Sequence, residues 1–255
     1  MAEQKITIKP KKSFRIPVDG YIIGPDNLAK KTVDEINSME TWHGNEVVNL
    51  GSLFDITVDG SADPKDTIIT LEGDFSRVKR IGSGMGAGSI IVNGDVDMHC
   101  GAMMNGGSIT VKGNADSWVG REMKGGELLI EGNAGDYVGS AYRGETAGMK
   151  GGKIVVKGNV RDYLGEHMSD GEIEVGGNAG ILSGLNMSGG KITIEGNADL
   201  PGAEMTNGTV IVKGKVEMLP SFRCEGSESV DSIEFKKYTG DLAVRGTGKG
   251  TLYVK

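Results

Sequence analysis

Short stretches in which apolar and polar residues alternate recur along most of the chain, and glycines bound each stretch. Two examples are Ser-Ile-Thr-Val-Lys at 108–112 and Lys-Ile-Thr-Ile-Glu at 191–195. A period of two is typical of a β-strand that buries one face. We therefore predict that these strands share a buried face, which consists of Ile90, Val92, Ile109, Val111, Leu128, Ile130, Ile154, Val156, Ile173, Val175, Ile192, Ile194, Val210 and Val212.

A methionine opens each of these units, and glycines follow it three and nine residues later. The steps between successive methionines are 19, 19, 26, 19, 19 and 18 residues, counted over Met85, Met104, Met123, Met149, Met168, Met187 and Met205. The step of 26 contains an insertion of seven residues between Gly139 and Met149. Insertions in repeat proteins map to surface loops, often on a binding face.

The repeat predicts an all-β fold, a right-handed parallel β-helix over residues 63–220. Units of 19 residues are too short for two packed helices and suit one turn of a solenoid. An upstream unit with Ile69 and Leu71 raises the count to about eight turns, so the stack would be roughly 38 Å long. Most units carry Asn or Asp after their second glycine, where the side chain suits a tight turn and can hydrogen-bond to the next turn.

Both ends of such a stack need covering, because open strands invite unwanted pairing. Residues 1–62 are predicted to form an N-terminal cap and residues 221–255 a C-terminal cap. The expected elements of these caps are strands at 5–10, 46–50, 54–58, 242–244 and 251–254 and a helix around 32–39.

Composition and charge narrow the functional classes. A net charge of −7 argues against nucleic-acid binding, which depends on neutralising phosphates. The two cysteines are too few for a disulfide framework or a zinc site built from cysteine alone. The first residues lack the apolar core of a signal peptide, and no apolar run is long enough to span a bilayer. We expect a soluble, cytoplasmic chain without membrane insertion.

Residues that could carry chemistry do not assemble into a recognisable catalytic motif. The segment GSGMGA at 82–87 resembles a dinucleotide fingerprint, but a strand and not a helix is predicted to follow it. His99 and Cys100 could be a metal pair, although Cys100 occupies a core position of the repeat. We expect no catalytic, cofactor-binding or metal-binding residue in this chain. The basic residues at 77–80 form either solvated surface or a docking site for an acidic partner.

Three segments interrupt the repeat without serving its core, and each combines aromatic with charged or polar residues. Aromatic residues and arginine are enriched in the centres of protein interfaces. The alternative is that these segments pack locally against the caps and the loop. The candidate interface residues are Trp42, His43, Asn45, Tyr142, Arg143, Glu145, Phe222 and Arg223.

The repeat M-x-G-G-x-I-x-V-x-G-N resembles the C-terminal β-helix domain of glutamate synthase. Three segments, WHGNEVVNLG at 42–51, GDYVGSAYRGETAGMKGG at 135–152 and MLPSFRCEG at 218–226, resemble more narrowly the C subunits of formylmethanofuran dehydrogenase. The resemblance covers essentially the whole chain.

The resemblance implies a structural role within an oxidoreductase complex of methanogenesis. In that family, CO₂ is reduced at a tungsten– or molybdenum–bis-pterin centre in the B subunit. The formate then condenses with methanofuran at a dinuclear metal site in the A subunit. Iron–sulfur subunits deliver electrons, so all cofactors belong to other chains. The implied partners are the A, B and D subunits and the iron–sulfur subunits.

Two other interpretations remain open from the sequence. The chain could be the C subunit of the non-redox formyltransferase/hydrolase complex of methylotrophic bacteria. It could also be a free-standing β-helix like that of glutamate synthase, or an unrelated binding solenoid. The sequence does not distinguish tungsten from molybdenum, nor does it give the stoichiometry.

Overall fold

The protein is all-β, and the computed structural model describes residues 3–244 and 248–255. Its helices are short: α1 (Pro25–Leu28), α2 (Val33–Asn37), α3 (Leu50–Leu53) and a 3₁₀ turn at Pro64–Asp66. Helix α2 begins at a capping box, in which Thr32 and Glu35 satisfy each other's backbone N–H groups. This helix confirms the one predicted around 32–39.

Most strands belong to one sheet of 13 strands. In chain order they are β1 (Gln4–Pro10), β5 (Phe54–Asp59), β6 (Thr67–Glu72), β8 (Ser89–Asn93), β9 (Ser108–Val111), β10 (Glu127–Ile130), β11 (Lys150–Val156), β12 (Asp170–Val175), β13 (Ser188–Ile194), β15 (Asn207–Val212), β17 (Arg223–Val230), β18 (Ile233–Gly240) and β19 (Gly250–Val254). A smaller sheet contains β2 (Val18–Asp19), β3 (Glu40–His43), β4 (Glu46–Asn49) and β7 (Val78–Lys79). A third sheet contains only β14 (Ala198–Asp199) and β16 (Val216–Glu217).

The strands of successive repeats pair in parallel, and each residue meets its counterpart in the next repeat. Ile109, for example, pairs with Ile90 on one side and with Leu128 on the other. All 14 side chains predicted to share the buried face are buried, which confirms the strand register. Burying a side chain of this size stabilises the fold by about 1.5–3 kcal/mol.

Glycine is required where successive repeats approach most closely. Gly107 has a φ of +73°, and a Cβ there would lie 2.7 Å from the carbonyl oxygen of Gly88. Both the backbone conformation and the backbone contact exclude a larger residue. The glycine three residues after each methionine therefore follows from geometry.

Polar side chains join the repeats along the outside, as the Asn and Asp positions predicted. The backbone N–H of Asn133 donates to Oδ1 of Asn114 at 2.9 Å, and the N–H of Asn159 donates to Oδ1 of Asn133 at 2.8 Å. The row continues through Asn178 and Asn197. Each Asn side-chain oxygen thus accepts from a backbone N–H group that would otherwise depend on water.

At the ends of the stack, β1 runs parallel to β6 and antiparallel to β5, and β19 runs parallel to β15. The prediction of a strand at 242–244 is wrong, because those residues form a turn. The sequence also missed the hairpin of β17 and β18, whose residues pair antiparallel. Among the described residues, no helix is long and apolar enough to cross a membrane.

Candidate functional site

Four aromatic side chains stack on one another along the outside of the repeats. His99, Trp118, Tyr137 and Tyr163 occupy the same position in successive repeats, two residues before a glycine. Their ring centroids are 5.3, 5.0 and 4.9 Å apart, and their planes are inclined by 24°, 5° and 5°. All four residues have φ between 61° and 65°, so the same tight corner aims each ring in the same direction. We call these four residues the aromatic row.

The seven-residue insertion leaves the hydrogen bonding of the repeat unchanged. In other repeats the methionine N–H donates to the carbonyl of the glycine three residues earlier, as from Met168 to Gly165 at 3.1 Å. The Met149 N–H makes the equivalent bond to Gly139 at 2.9 Å, although ten residues separate the two. The insertion is therefore an excursion from a closed corner, as the pattern predicted.

The inserted loop folds back over the aromatic row. The Tyr142 ring meets His99 and Trp118 edge-on, at centroid distances of 5.7 and 5.9 Å. The guanidinium of Arg121 lies 4.8 Å from the Tyr142 centroid, and that of Arg143 lies 5.4 Å from the Trp118 centroid. These cation–π contacts stabilise the loop on the row by about 0.5–1 kcal/mol each.

Glu122 connects the loop to the repeat beneath it. The backbone N–H of Tyr142 donates to Oε1 of Glu122 at 3.1 Å. The other carboxylate oxygen of Glu122 pairs with Arg121 at 3.0 Å. The position of the loop is thus coupled to the position of the arginine.

Tyr142 and Trp42 flank the same groove, although they are 100 residues apart in the chain. The groove has a volume of about 650 Å³ and is lined also by Lys79, Arg80, His99 and Arg121. Trp42 is 47% exposed and Tyr142 is 43% exposed. The structure therefore brings two of the three predicted interface segments, and part of the basic stretch at 77–80, to one place.

The remaining candidate residues of these two segments have different surroundings. His43 packs edge-on against Phe14 at 5.9 Å, and Asn45 is exposed beside it. Arg143 and Glu145 are exposed in the inserted loop. Asn45 and the two loop residues are thus accessible to a partner, whereas His43 is partly covered.

The third segment does not belong to the groove lining. Phe222 is only 8% exposed, and a Cβ at Gly240 would lie 2.7 Å from its ring. This burial fits the alternative of local packing. Arg223 is exposed and pairs with Glu225 at 2.8 Å.

The charge of the groove opposes the charge of the whole chain. Three lining residues are cationic and one, Asp19, is acidic, which gives a local net charge of +2 against −7 overall. Nε of Arg80 donates to Asp19 at 3.0 Å. Burial, followed by the nearby charges of Arg121, Arg80 and Lys79, lowers the pKa of His99 from 6.5 to about 4. His99 is therefore neutral near pH 7.

The two cysteines differ in accessibility. Cys100 is buried, as predicted, and burial raises the pKa of its thiol to about 12, so it is a poor nucleophile. Cys224 is exposed. Over residues 3–244 and 248–255, no three His, Cys, Asp or Glu side chains lie close enough together to hold a metal ion.

The fold and the groove define a class of protein, an all-β repeat protein with an aromatic and cationic groove on its surface. No family model matches the chain. The C subunit of the tungsten-containing formylmethanofuran dehydrogenase 2 from Methanococcus maripaludis is 50% identical over 245 residues, which are 95% of this chain and 89% of the relative. The chain therefore belongs to the family of formylmethanofuran dehydrogenase C subunits, which confirms the resemblance.

Other relatives match over shorter segments. The C subunit of the tungsten-containing formylmethanofuran dehydrogenase 2 from Methanothermobacter wolfeii is 44% identical over 98 residues. The C subunit of the molybdenum-containing formylmethanofuran dehydrogenase 1 from Methanosarcina barkeri is 43% identical over 99 residues. These matches span 36% and 32% of the length of those relatives.

A solved structure has a similar fold over nearly the whole chain. It is that of the formyltransferase/hydrolase complex FhcABCD from Methylorubrum extorquens with methylofuran. The matched chain has a TM-score of 0.89 and 32% identity, and the match covers 97% of this chain and 98% of that one.

Proposed function

We propose that this chain is the structural C subunit of a formylmethanofuran dehydrogenase, the complex that reduces CO₂ and forms formylmethanofuran. Its match to the Methanococcus relative over 95% of its length supports this assignment. Catalysis belongs to the partner subunits, and this chain contributes a rigid surface on which they assemble.

The rigid surface comes from the repeats, which we propose wind as a right-handed parallel β-helix over residues 63–220, with caps at 1–62 and 221–255. The in-register parallel pairing from β6 to β15 supports this architecture. In such a stack each repeat contacts mainly its neighbours, and the repeats together present an extended outer surface that suits binding.

The observation that carries the proposed role is the loop between Gly139 and Met149. It is not needed to close the corner of its repeat, since Met149 already bonds to Gly139. It nevertheless presents Tyr142 beside Trp42 at one groove. Exposed aromatic residues next to arginines are suited to the centre of a protein interface.

The residues present do not fit the cofactors of such a complex. Iron–sulfur clusters are held by sets of cysteines, whereas this chain has two cysteines. One of them is buried and the other exposed. We therefore assign the bis-pterin metal centre, the iron–sulfur clusters and the dinuclear metal site to partner subunits. The free thiols also support a reducing cytoplasmic location.

The second candidate is the C subunit of a non-redox formyltransferase/hydrolase complex. The TM-score of 0.89 to a chain of such a complex supports this second candidate, because the two chains share their fold. The higher identity to the dehydrogenase relative, 50% against 32%, favours the first candidate.

Metal analysis of the complex that copurifies with the tagged chain from its native cells decides between them. We expect tungsten or molybdenum together with iron, and neither metal nor flavin on the chain purified alone. Zinc without tungsten or molybdenum would establish the formyltransferase/hydrolase. Flavin-containing partners would instead indicate a glutamate-synthase-like protein, and a transition metal bound tightly to the isolated chain would contradict the structural role.

A further inference from the structure

Three buried nitrogen atoms beneath the inserted loop have no hydrogen-bond partner. They are Nδ1 of His99, Nε1 of Trp118 and Nε of Arg121. Within the part of the chain that the structure describes, Oγ of Ser183 is the fourth such buried side-chain atom. Buried polar atoms are normally paired, because each unpaired one destabilises the fold. A concentration of three in one place points to a function.

All three nitrogens belong to side chains that surround the Tyr142 ring. Tyr142 contacts His99 and Trp118 edge-on and lies under the Arg121 guanidinium, all within 6 Å. Tyr142 itself remains 43% exposed toward the groove. Its ring therefore lies against all three side chains that carry an unpaired nitrogen, and two of them, His99 and Arg121, also line the groove.

The three groups have the chemistry of an anion site. Indole Nε1 and guanidinium Nε are donors only, and a neutral imidazole places its proton on either nitrogen. Arg80 and Lys79 add positive charge in the same groove. A carboxylate accepts several hydrogen bonds and pairs well with arginine, whereas a cation or an apolar group would leave these donors unsatisfied.

We propose that this site binds a carboxylate side chain presented by a partner protein, and that Tyr142 covers the site until the partner docks. This inference rests on the proposed function, because it names what the docking surface recognises. The source is a protein because His99 and Arg121 line the same groove as Trp42 and Tyr142, two exposed aromatic side chains suited to a protein interface. Even when Glu122, which pairs with Arg121, is counted with the lining residues, the groove keeps a net positive charge on an acidic chain and so complements an acidic partner segment.

The coupling through Glu122 gives a route for uncovering the site. Glu122 holds both the Tyr142 backbone and Arg121. An incoming carboxylate that pairs with Arg121 competes with Glu122 for the guanidinium. Loss of that pair leaves Glu122 without the ion pair that fixes its carboxylate, so the loop that Glu122 holds through the Tyr142 N–H can shift and carry the Tyr142 ring away from the donors.

Association of the full chain with its copurified partner subunits tests the site. Arg121→Gln should weaken association at least tenfold, and Arg121→Lys, which keeps the charge but lacks Nε, should have an intermediate effect. Arg161→Gln is the matched control, because Arg161 is 71% exposed and pairs with Asp136 away from the groove. This control should stay within twofold of the parent, and melting curves should show that every variant is folded. Equal association of Arg121→Gln and Arg161→Gln would overturn the proposal.

A second measurement separates a partner carboxylate from a small free anion. After Trp42→Phe, Trp118 is the sole tryptophan of the chain, so its fluorescence reports on the site. Acetate and phosphate should leave it unchanged at low millimolar concentration, whereas the further change Tyr142→Ala should let acetate bind at least tenfold more tightly. The proposal would be overturned if either anion saturated the covered site below 1 mM, or if Tyr142→Ala left the affinity for acetate unchanged.

The outcomes also separate this inference from the proposed function. If deletion of 141–147 abolishes association and Arg121→Gln does not, the docking role stands and the carboxylate site is wrong. If the parent chain associates with no partner protein, the proposed function itself fails.

Discussion

Two rows of side chains repeat with the same period and have opposite properties. The buried row of the strands, with Ile109 as one member, is apolar and almost inaccessible. The aromatic row from His99 to Tyr163 lies at the outer corner, is partly exposed and includes buried nitrogens without partners. The comparison shows how one repeat divides its positions. Inner positions stabilise the stack, whereas positions at the outer corner differ in residue type from repeat to repeat and can hold recognition chemistry.

The insertion sharpens this difference. Seven added residues leave the Met149–Gly139 hydrogen bond and the pairing of β10 with β11 intact. A similar addition within a strand would break the alternation and turn the buried face outward. Variation is therefore tolerated at the corner and not in the strand.

The largest expected effect is in the buried row. Ile109→Asp should lower the free energy of unfolding by about 3–5 kcal/mol, because it buries a carboxylate without a partner. The matched change Thr110→Asp, on the opposite face of the same strand, should cost less than about 1 kcal/mol. Urea unfolding of both variants is the measurement, and similar losses would show that the assigned strand register is wrong.

A smaller effect is expected in the aromatic row, where His99 titrates. Its pKa is about 4 in the folded chain and 6.5 without burial, so the unfolded chain takes up this proton first as the pH falls. The stability contributed by neutral His99 is therefore complete above pH 6.5 and lost toward pH 4. The expected loss is about 1–2 kcal/mol after allowance for solvent screening. The parent should lose more stability than His99→Gln between pH 7.5 and 4.5 in urea titrations, and parallel curves would refute the assigned environment.

The buried row of the strands was predictable from the sequence. Alternation and the 19-residue step together place Ile109 against Ile90 and Leu128, because alternation excludes a one-residue slip and the repeat aligns equivalent positions. The burial of Cys100 followed from the same alignment. The hairpin of Arg223–Gly240 was missed because most residues of its first strand are exposed, so no apolar alternation marks it. The turn at 242–244 shows the converse, since three apolar residues suggested a strand that does not form.

The groove and the aromatic row at the outer corner were only partly predictable from the sequence. Trp42, Tyr142 and Arg143 were selected by residue type, but the groove depends on contacts between segments 100 residues apart. The aromatic row had a signal in its fixed position two residues before the corner glycine. That signal was obscured because the residue type changes from His99 to Trp118 and Tyr137, and because the insertion follows Tyr137.

The central claim, that the outer corner recognises partners while the inner rows hold the fold, is tested most directly by deleting residues 141–147. The deletion leaves Gly139-Ser140-Gly148-Met149, which has the length of Gly101-Ala102-Met103-Met104 in another repeat. We expect the melting temperature to remain within a few degrees of the parent, while recovery of the A and B subunits in a pull-down falls at least tenfold. A loop of unchanged length with Tyr142, Arg143 and Glu145 replaced by serine should lose the partners equally. Full recovery of both partners by the deleted chain would contradict the account.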